Sequence, residues 1–308
     1  MRLSNRQVYA TSDYVSSLAA IGKARELVNS CGKVIERAVP ETDAFDAMGP
    51  YPLFQCQYWD KLPEDLRVLS GSGLVSLVLV TDPMLEEGDR NLFGCFDVVR
   101  PFKRHFLTDL ECPYEQSVSR HHRYYVRKSS KDLELDVPAE PIAYLGEWCQ
   151  LYEQLMARHA CNDFRRFSRE AFAQLLVMPE VVLFRAIAKG ETVGAQIFLL
   201  SGDVAHAHQA AFTSEGYRLG ASYFLDAEAI VYLRGSVNYI NWGGGAGSVD
   251  DETGCGLSRY KAGWSTESRL SYMLGKITDP PRYQDIVARC QASTLDYFPA
   301  YRAGEFSK

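Results

Sequence analysis

Runs of apolar residues along this chain are short and change their rhythm often. Leu74–Val80 is almost wholly apolar between Gly73 and Thr81-Asp82-Pro83, which predicts a buried strand. Phe93–Leu110 is rich in β-formers and predicts one or two strands, while residues 14–37 read as helical and Glu41–Pro52 as a loop. After Pro113 the period becomes helical. At about 100° per residue, Arg120, Arg123, Arg127 and Lys131 share one face. Val118, Tyr125, Val126 and Leu133 lie on the other, so the helix carries a cationic stripe. Pro138 and Pro141 follow, and the division into domains is placed there, as 1–137 and 138–308.

The second half predicts helices over Ile142–His159 and Ser168–Val177, the latter with Ser168 as N-cap. Val181–Ala188, Thr192–Leu200 and Val204–Phe212 are three strand patterns separated by Lys189-Gly190-Glu191 and Ser201-Gly202-Asp203, a meander of antiparallel neighbours. Thr213–Tyr217 reads as a polar turn, Leu219–Leu233 as a helix ended by Arg234-Gly235, and Val237–Trp242 as a further strand before a glycine-rich loop. This order predicts an α+β fold with helices packed on a mixed, mostly antiparallel sheet.

Composition narrows the class. With 46% hydrophobic and 23% charged residues among 308, the chain reads as globular and soluble rather than disordered. No apolar run approaches the 18 or so residues of a bilayer span, and Met1–Asn5 does not open a secretory signal, so a cytoplasmic location is expected. Cysteines at 31, 56, 95, 112, 149, 161, 255 and 290 include no C-x-x-C pair and read as reduced, mostly buried thiols. The net charge is -6, yet residues 100–131 carry +5 and the remainder -11. That asymmetry suits a local anionic partner, phosphate or nucleic acid; a solvated helix face is the alternative.

Several segments together resemble the GNAT acyltransferase superfamily, in its FemAB-like (Fem-type aminoacyltransferase) branch. They are Arg123–Ser129, Leu151–Met156, Gly194–Phe198, Glu215–Tyr223, Asn241–Gly245 and Tyr260–Trp264, spread over roughly residues 120–275. The resemblance implies two GNAT-like lobes, the first degenerate, and N-acyl transfer to an amine. It also implies that Val204–Phe212 splays from its neighbour and offers backbone N–H groups to the acyl carbonyl.

His206 and His208, two apart on that strand, point to one face. His208 is a candidate catalytic proton acceptor and His206 a candidate substrate contact; satisfied histidines in a sheet are the alternative for both. An H-x-H pair also suits metal, but no third ligand has convincing spacing, so no metal site is expected. Around the following helix start the resemblance places donor binding at Arg218, Gly220 and Ala221, with departures from the family's pyrophosphate pattern at Tyr217, Arg218 and Ser222 that weaken a coenzyme A reading. Close packing at a helix start is the other reading of Gly220.

Gly243-Gly244-Gly245-Ala246-Gly247 lacks the Gly-Lys-Ser/Thr ending of a P-loop, so Trp242, Gly243 and Gly244 are candidate substrate-binding positions instead. Tyr260-Lys261 matches the family's aromatic-lysine pair, making Tyr260 and Lys261 candidate catalytic residues, with Lys261 near negative charge on the carbonyl; an exposed strand-edge lysine is the alternative. Arg123, Arg127 and Lys128 are candidates for the donor's phosphates. His121-His122 and Lys103-Arg104-His105 show no further pattern and are read as surface positions. The expected co-substrate is aminoacyl-tRNA, with acyl-CoA or an acyl carrier protein as alternative, a non-catalytic binding module as the contrasting class, and no tightly bound cofactor. The acceptor is a small-molecule or peptide amine; the oligomeric state is left open.

Overall fold

Residues 7–86, 88–159, 167–245, 256–290 and 297–305 are described by a computed structural model. The chain forms two compact units, a flanking one from Tyr9–Phe102 with Leu270 onward, and a central one from Lys103–Arg269 together with Val8. The division expected at 137/138 therefore falls inside the central unit. Its physical reason is pairing: Leu135 and Asp136, just before the expected cut, lie in a strand bonded to Ala186 and Arg185, well beyond it.

Along the chain, α1 (Ser12–Ser17) precedes β1 (Lys23–Leu27), β2 (Gly32–Ala38), β3 (Phe45–Met48), α2 (Leu62–Leu69) and β4 (Leu74–Val80). Most of residues 14–37 is thus a hairpin and not a helix. Lys, Ala, Arg, Glu and Leu favour helix by composition, but pairing from Lys23↔Glu36 to Leu27↔Gly32 and burial of Val34 and Ile35 override that weak preference. The Asp65 carboxylate on α2 fixes the hairpin turn by accepting from Asn29 N at 3.0 Å and Ser30 N at 2.8 Å.

The central unit holds β5 (Val98–Asp109, entered from the flanking unit), α3 (Tyr114–Ser117), α4 (Arg120–Ser129), β6 (Glu134–Asp136), α5 (Leu145–His159) and α6 (Arg169–Leu176). Next come β7 (Val181–Ala188), β8 (Glu191–Ser201), β9 (Val204–Phe212), α7 (Ser214–Leu219), α8 (Ala221–Leu233), β10 (Tyr239–Gly244) and α9 (Gly256–Ala262). The chain then returns to the flanking unit through β11 (Glu267–Ile277) and α10 (Pro280–Arg289). The meander β7-β8-β9 is as expected, with antiparallel pairs across both tight turns. The expected polar turn at 213–217 is instead the short α7, N-capped by Thr213, whose Oγ1 accepts from Gly216 N at 2.9 Å.

Both units are α+β, with mixed, mostly antiparallel strands flanked by helices. Their strand orders repeat one plan. In the flanking unit β1-β2-β3 form an antiparallel meander, β4 lies parallel to β3, and β11 runs antiparallel to β4. In the central unit β7-β8-β9 form the meander, β10 lies parallel to β9, and β5 runs antiparallel to β10, with β6 on the outer edge of β7.

The central core gathers Phe184, Phe198, Phe212, Phe224, Ile230, Ile240, Trp242 and Trp264 between the strands and the α4/α8 layer. Of the six cysteines described, Cys56 is buried while Cys31 and Cys290 are exposed; Cys161 and Cys255 lie outside the described residues. The expectation of mostly buried thiols does not hold for these six.

Candidate functional site

The opening between β9 and β10 organises the site. The two strands pair in parallel over only three positions, Tyr239↔Val204, Ile240↔Ala205 and Asn241↔His206, although β9 runs on to Phe212 and β10 to Gly244. A bulge contributes: Ile197 pairs with Gln209 and Phe198 with Ala207, so His208 is the extra residue. The counterpart in the flanking unit stays zipped, since Gly49 N bonds Val78 O at 2.8 Å and Phe54 N bonds Val80 O at 2.7 Å beyond the end of β3.

Lys261 and Tyr260 reach this region from α9. Lys261 Nζ donates to Gly244 O at 2.7 Å and lies against Gly243, where an added Cβ would come within 3.2 Å of the ammonium. Gly243 has φ of +79°, a conformation that a side chain would strain, and its N–H donates to Asn241 Oδ1 at 2.9 Å. Lys261 is half-buried on a helix, so the alternative of an exposed strand-edge lysine falls away. Tyr260 Oη donates to Asp226 Oδ2 at 2.5 Å, and Gln196 Nε2 donates to Asp226 Oδ1 at 2.7 Å. Burial pushes the Asp226 carboxyl up to about 6, against the hydrogen bonds from Tyr260 and Gln196 and the charge of Lys261, which hold it down. Burial, followed by the Asp226 charge, holds the Tyr260 phenol well above its ordinary value.

His122 anchors α9 from α4. Its Nε2 donates to Tyr260 O at 2.9 Å, which leaves Nδ1 to accept from Ser119 Oγ at 2.8 Å. Its ring packs edge-on against Trp264 at 4.7 Å, and burial pushes its pKa down. Only glycine fits at 263, where a Cβ would stand 2.1 Å from His122 Cε1. The surface reading of His122 is therefore corrected, and so is that of His105, which is buried on β5 with Nδ1 3.1 Å from Asn241 Oδ1. His121 is exposed as expected, and Lys103 is tied to Gly245 O at 3.2 Å.

Other candidates are placed apart from Lys261. His206 is buried, with Nδ1 3.3 Å from Asn241 Nδ2. His208 packs its ring edge-on against Phe167, which stacks on Phe172 of α6, whereas Ala207 and Ala210 pack with the core on the α8 side. Burial, and then the neighbouring His206, pushes the His208 pKa down to about 3, far from the near-neutral value that suits a proton acceptor at neutral pH. Trp242, expected to touch substrate, is a core residue whose Nε1 donates to Thr108 Oγ1 at 2.7 Å. Arg218 is exposed and engaged by Glu215 on its own helix at 2.5 and 2.7 Å. Gly220, with φ of +75°, ends α7 and begins α8, so its conformation and not close packing calls for glycine, and Ala221 is fully buried. Ala246 and Gly247 lie outside the described residues.

The helix that carries the cations packs beside the start of α8 through the face opposite the cationic stripe. Tyr125 of α4 stacks on Tyr223 of α8 at 4.8 Å, and Ser129 Cβ lies 3.6 Å from where a Gly220 side chain would begin. Arg120, Arg127, Lys128 and Lys131 are exposed and Arg123 is half-buried, though Lys131 falls beyond the end of α4. Among the described residues, no ion pair to a carboxylate involves any of these five. Among the described residues no group of three or more His, Cys, Asp and Glu is arranged to hold a metal ion, and no helix is long and apolar enough to cross a membrane.

Residues 116–262 match the family model described as the acetyltransferase (GNAT) domain. Among solved structures, FemX is similar at 12% identity over 93% of this chain and 99% of that one, with a TM-score of 0.66. A protein described as the C-terminal domain of a lysylphosphatidylglycerol synthetase from Agrobacterium fabrum gives 13% identity, 92% and 93% coverage and a TM-score of 0.62. L-PGS from Bacillus licheniformis gives 11%, 92% and 98%, and 0.58. At these identities the likeness is one of fold, a Fem-like arrangement of GNAT type. No curated protein matches the chain.

Proposed function

We propose that the protein is an N-acyltransferase that moves an aminoacyl group from aminoacyl-tRNA to an amine acceptor, a small molecule or peptide. The observation that supports this reading best is the set of cations on α4, a helix whose opposite face packs beside the start of α8; among the described residues these cations have no carboxylate partner. Arg120, Arg123 and Arg127 along one face of α4, with Lys128 beside them, match a run of phosphates better than one diphosphate. The fold neighbours agree in kind, one being named for a product that carries a lysyl group.

In this reading the acceptor's neutral amine attacks the ester carbonyl, the C–N bond forms as the carbonyl π electrons move onto oxygen, and collapse expels the terminal ribose oxygen of the tRNA. The proton lost by the amine balances the one gained by that oxygen. Lys261 stands where it can stabilise the transient oxyanion, together with backbone N–H groups of β9 past His206. His208 stays neutral and packed against Phe167, so proton transfer by His208 is not part of this reading.

One observation favours the acyl-CoA alternative: the N-terminus of α8 has no side-chain cap, leaving N–H groups suited to a phosphate. Salt dependence separates the two. For single strands the slope of log affinity against log salt is about -0.7 per phosphate contacted, so tRNA binding should weaken steeply and Arg123→Ala with Arg127→Ala should flatten the slope. Transfer that survives ribonuclease and needs only acetyl-CoA would refute the tRNA donor.

A further inference from the structure

Asp226 is a carboxylate in the middle of α8, a helix that is otherwise buried through Phe224, Leu225, Ala229 and Ile230. It is 3% exposed, yet it is neither stranded nor paired with an arginine. Its two oxygens are divided between two functions of the fold: Oδ1 accepts from Gln196 on β8, and Oδ2 accepts from the phenol of Tyr260 on α9. The next residue on α9 is Lys261, whose charge reaches Asp226 strongly enough to lower its pKa. Tyr223 on α8 itself feels the same carboxylate. Elsewhere α8 packs on β7, β8 and β9, whose core residues include Phe184, Phe198 and Phe212, while α4 contributes His122, which grips the Tyr260 carbonyl.

A buried position on α8 is satisfied by any apolar residue, and a charge there costs desolvation energy. What the charge supplies is a fixed acceptor for Tyr260, the neighbour of Lys261 on α9. We propose that Asp226 is the positioning residue of the transfer site: its carboxylate fixes the Tyr260 phenol and, through α9, the adjoining Lys261 beside the opening between β9 and β10. This rests on the reading that Lys261 acts on the transferring carbonyl. Asp226 does not touch that carbonyl; it acts through α9. When it takes up a proton, Tyr260 loses a charged acceptor, so the site is best ordered at pH values above the Asp226 midpoint.

The test uses the full chain labelled with carbon-13 at the aspartate carboxyls, titrated by NMR. One carboxyl should titrate near 6 and vanish from the spectrum of Asp226→Asn. Its midpoint should rise in Tyr260→Phe and also in Lys261→Met, because each removes a partner that favours the charged form. A carboxylate that merely ties down Tyr260 would respond to Tyr260→Phe alone, so an unmoved midpoint in Lys261→Met overturns the proposal. In transfer assays with aminoacyl-tRNA, Asp226→Asn should lower kcat about tenfold to hundredfold with little change in KM and should lose the rise in activity near the Asp226 midpoint. Full transfer by a folded Asp226→Asn also overturns it. Intact coupling in a protein that transfers from neither aminoacyl-tRNA nor acetyl-CoA would instead sink the transfer reading.

Discussion

Replacing Asp226 by Asn removes a charge that the fold holds at a cost, and the cost can be read from the dependence of stability on pH. Burial raises the carboxyl from an ordinary 3.8 to about 6. A folded-state value above the unfolded one means that the native chain binds the proton more tightly than the unfolded chain. Stability from this group is therefore fully present below the unfolded value and is lost as pH climbs through the folded one. A rise of about two units corresponds to about 3 kcal/mol at about 1.4 kcal/mol per unit, and roughly half of it develops between about pH 5 and about pH 8. Asn has nearly the same shape and does not titrate. The stability difference should thus move toward the variant by about 1.5 kcal/mol over that interval, or roughly 3–6 °C in Tm for a unit of this size. Urea titrations followed by tryptophan emission report on the right region, because Trp148, Trp242 and Trp264 lie in the central unit and Trp59 in the other. Wild-type and variant curves that stay parallel across pH would refute the assignment of a raised value to a buried Asp226.

Lys261→Ala should lower turnover about 10²–10³-fold while leaving the urea midpoint nearly unchanged, because the half-buried ammonium makes its contact at the mouth of the opening and not in the core; steady-state kinetics beside a denaturation curve decide this. Gly263→Ala should destabilise the central unit by about 1–3 kcal/mol, since the new methyl would stand 2.1 Å from the His122 ring; adding His122→Ala should return part of that loss, and an additive double variant would disprove the contact.

The strand order of the central unit was legible because its turns are explicit. Gly190 and Gly202 both take positive φ, and the strands on either side pair as their patterns require. The hairpin of β1 and β2 was not legible, because its residues prefer helix locally and only contacts with β3 and α2 reverse the preference. The site divided in the same way. Lys261 and Tyr260 stood out through their family-like pairing, but Asp226, Gln196, Asn241 and His122 act across sequence separations that no local pattern reports. A signal for Asp226 was present all the same. A helix that is apolar nearly all round must be buried, and a lone carboxylate on its inner side must have a partner. His208 misled for a related reason: strict alternation cannot foresee a bulge, and the bulge falls on that residue.

The repeated strand plan sharpens what distinguishes the central unit. Both units place a strand parallel to the third strand of a meander, so topology alone does not create an opening. In the flanking unit the backbone bonds of Gly49 and Phe54 continue the seam beyond β3. In the central unit the bulge at His208 turns β9 aside, and β10 shifts register against β5 between Asn241 and Gly244. Glycine at 243 then allows φ of +79° and leaves room for the Lys261 ammonium on the Gly244 carbonyl. The glycines that suggest a phosphate loop in the sequence thus seat a lysine of the same chain instead. A side chain at 243 would meet both the positive φ and the ammonium, so that one position couples the parting of the strands to the placement of the charge.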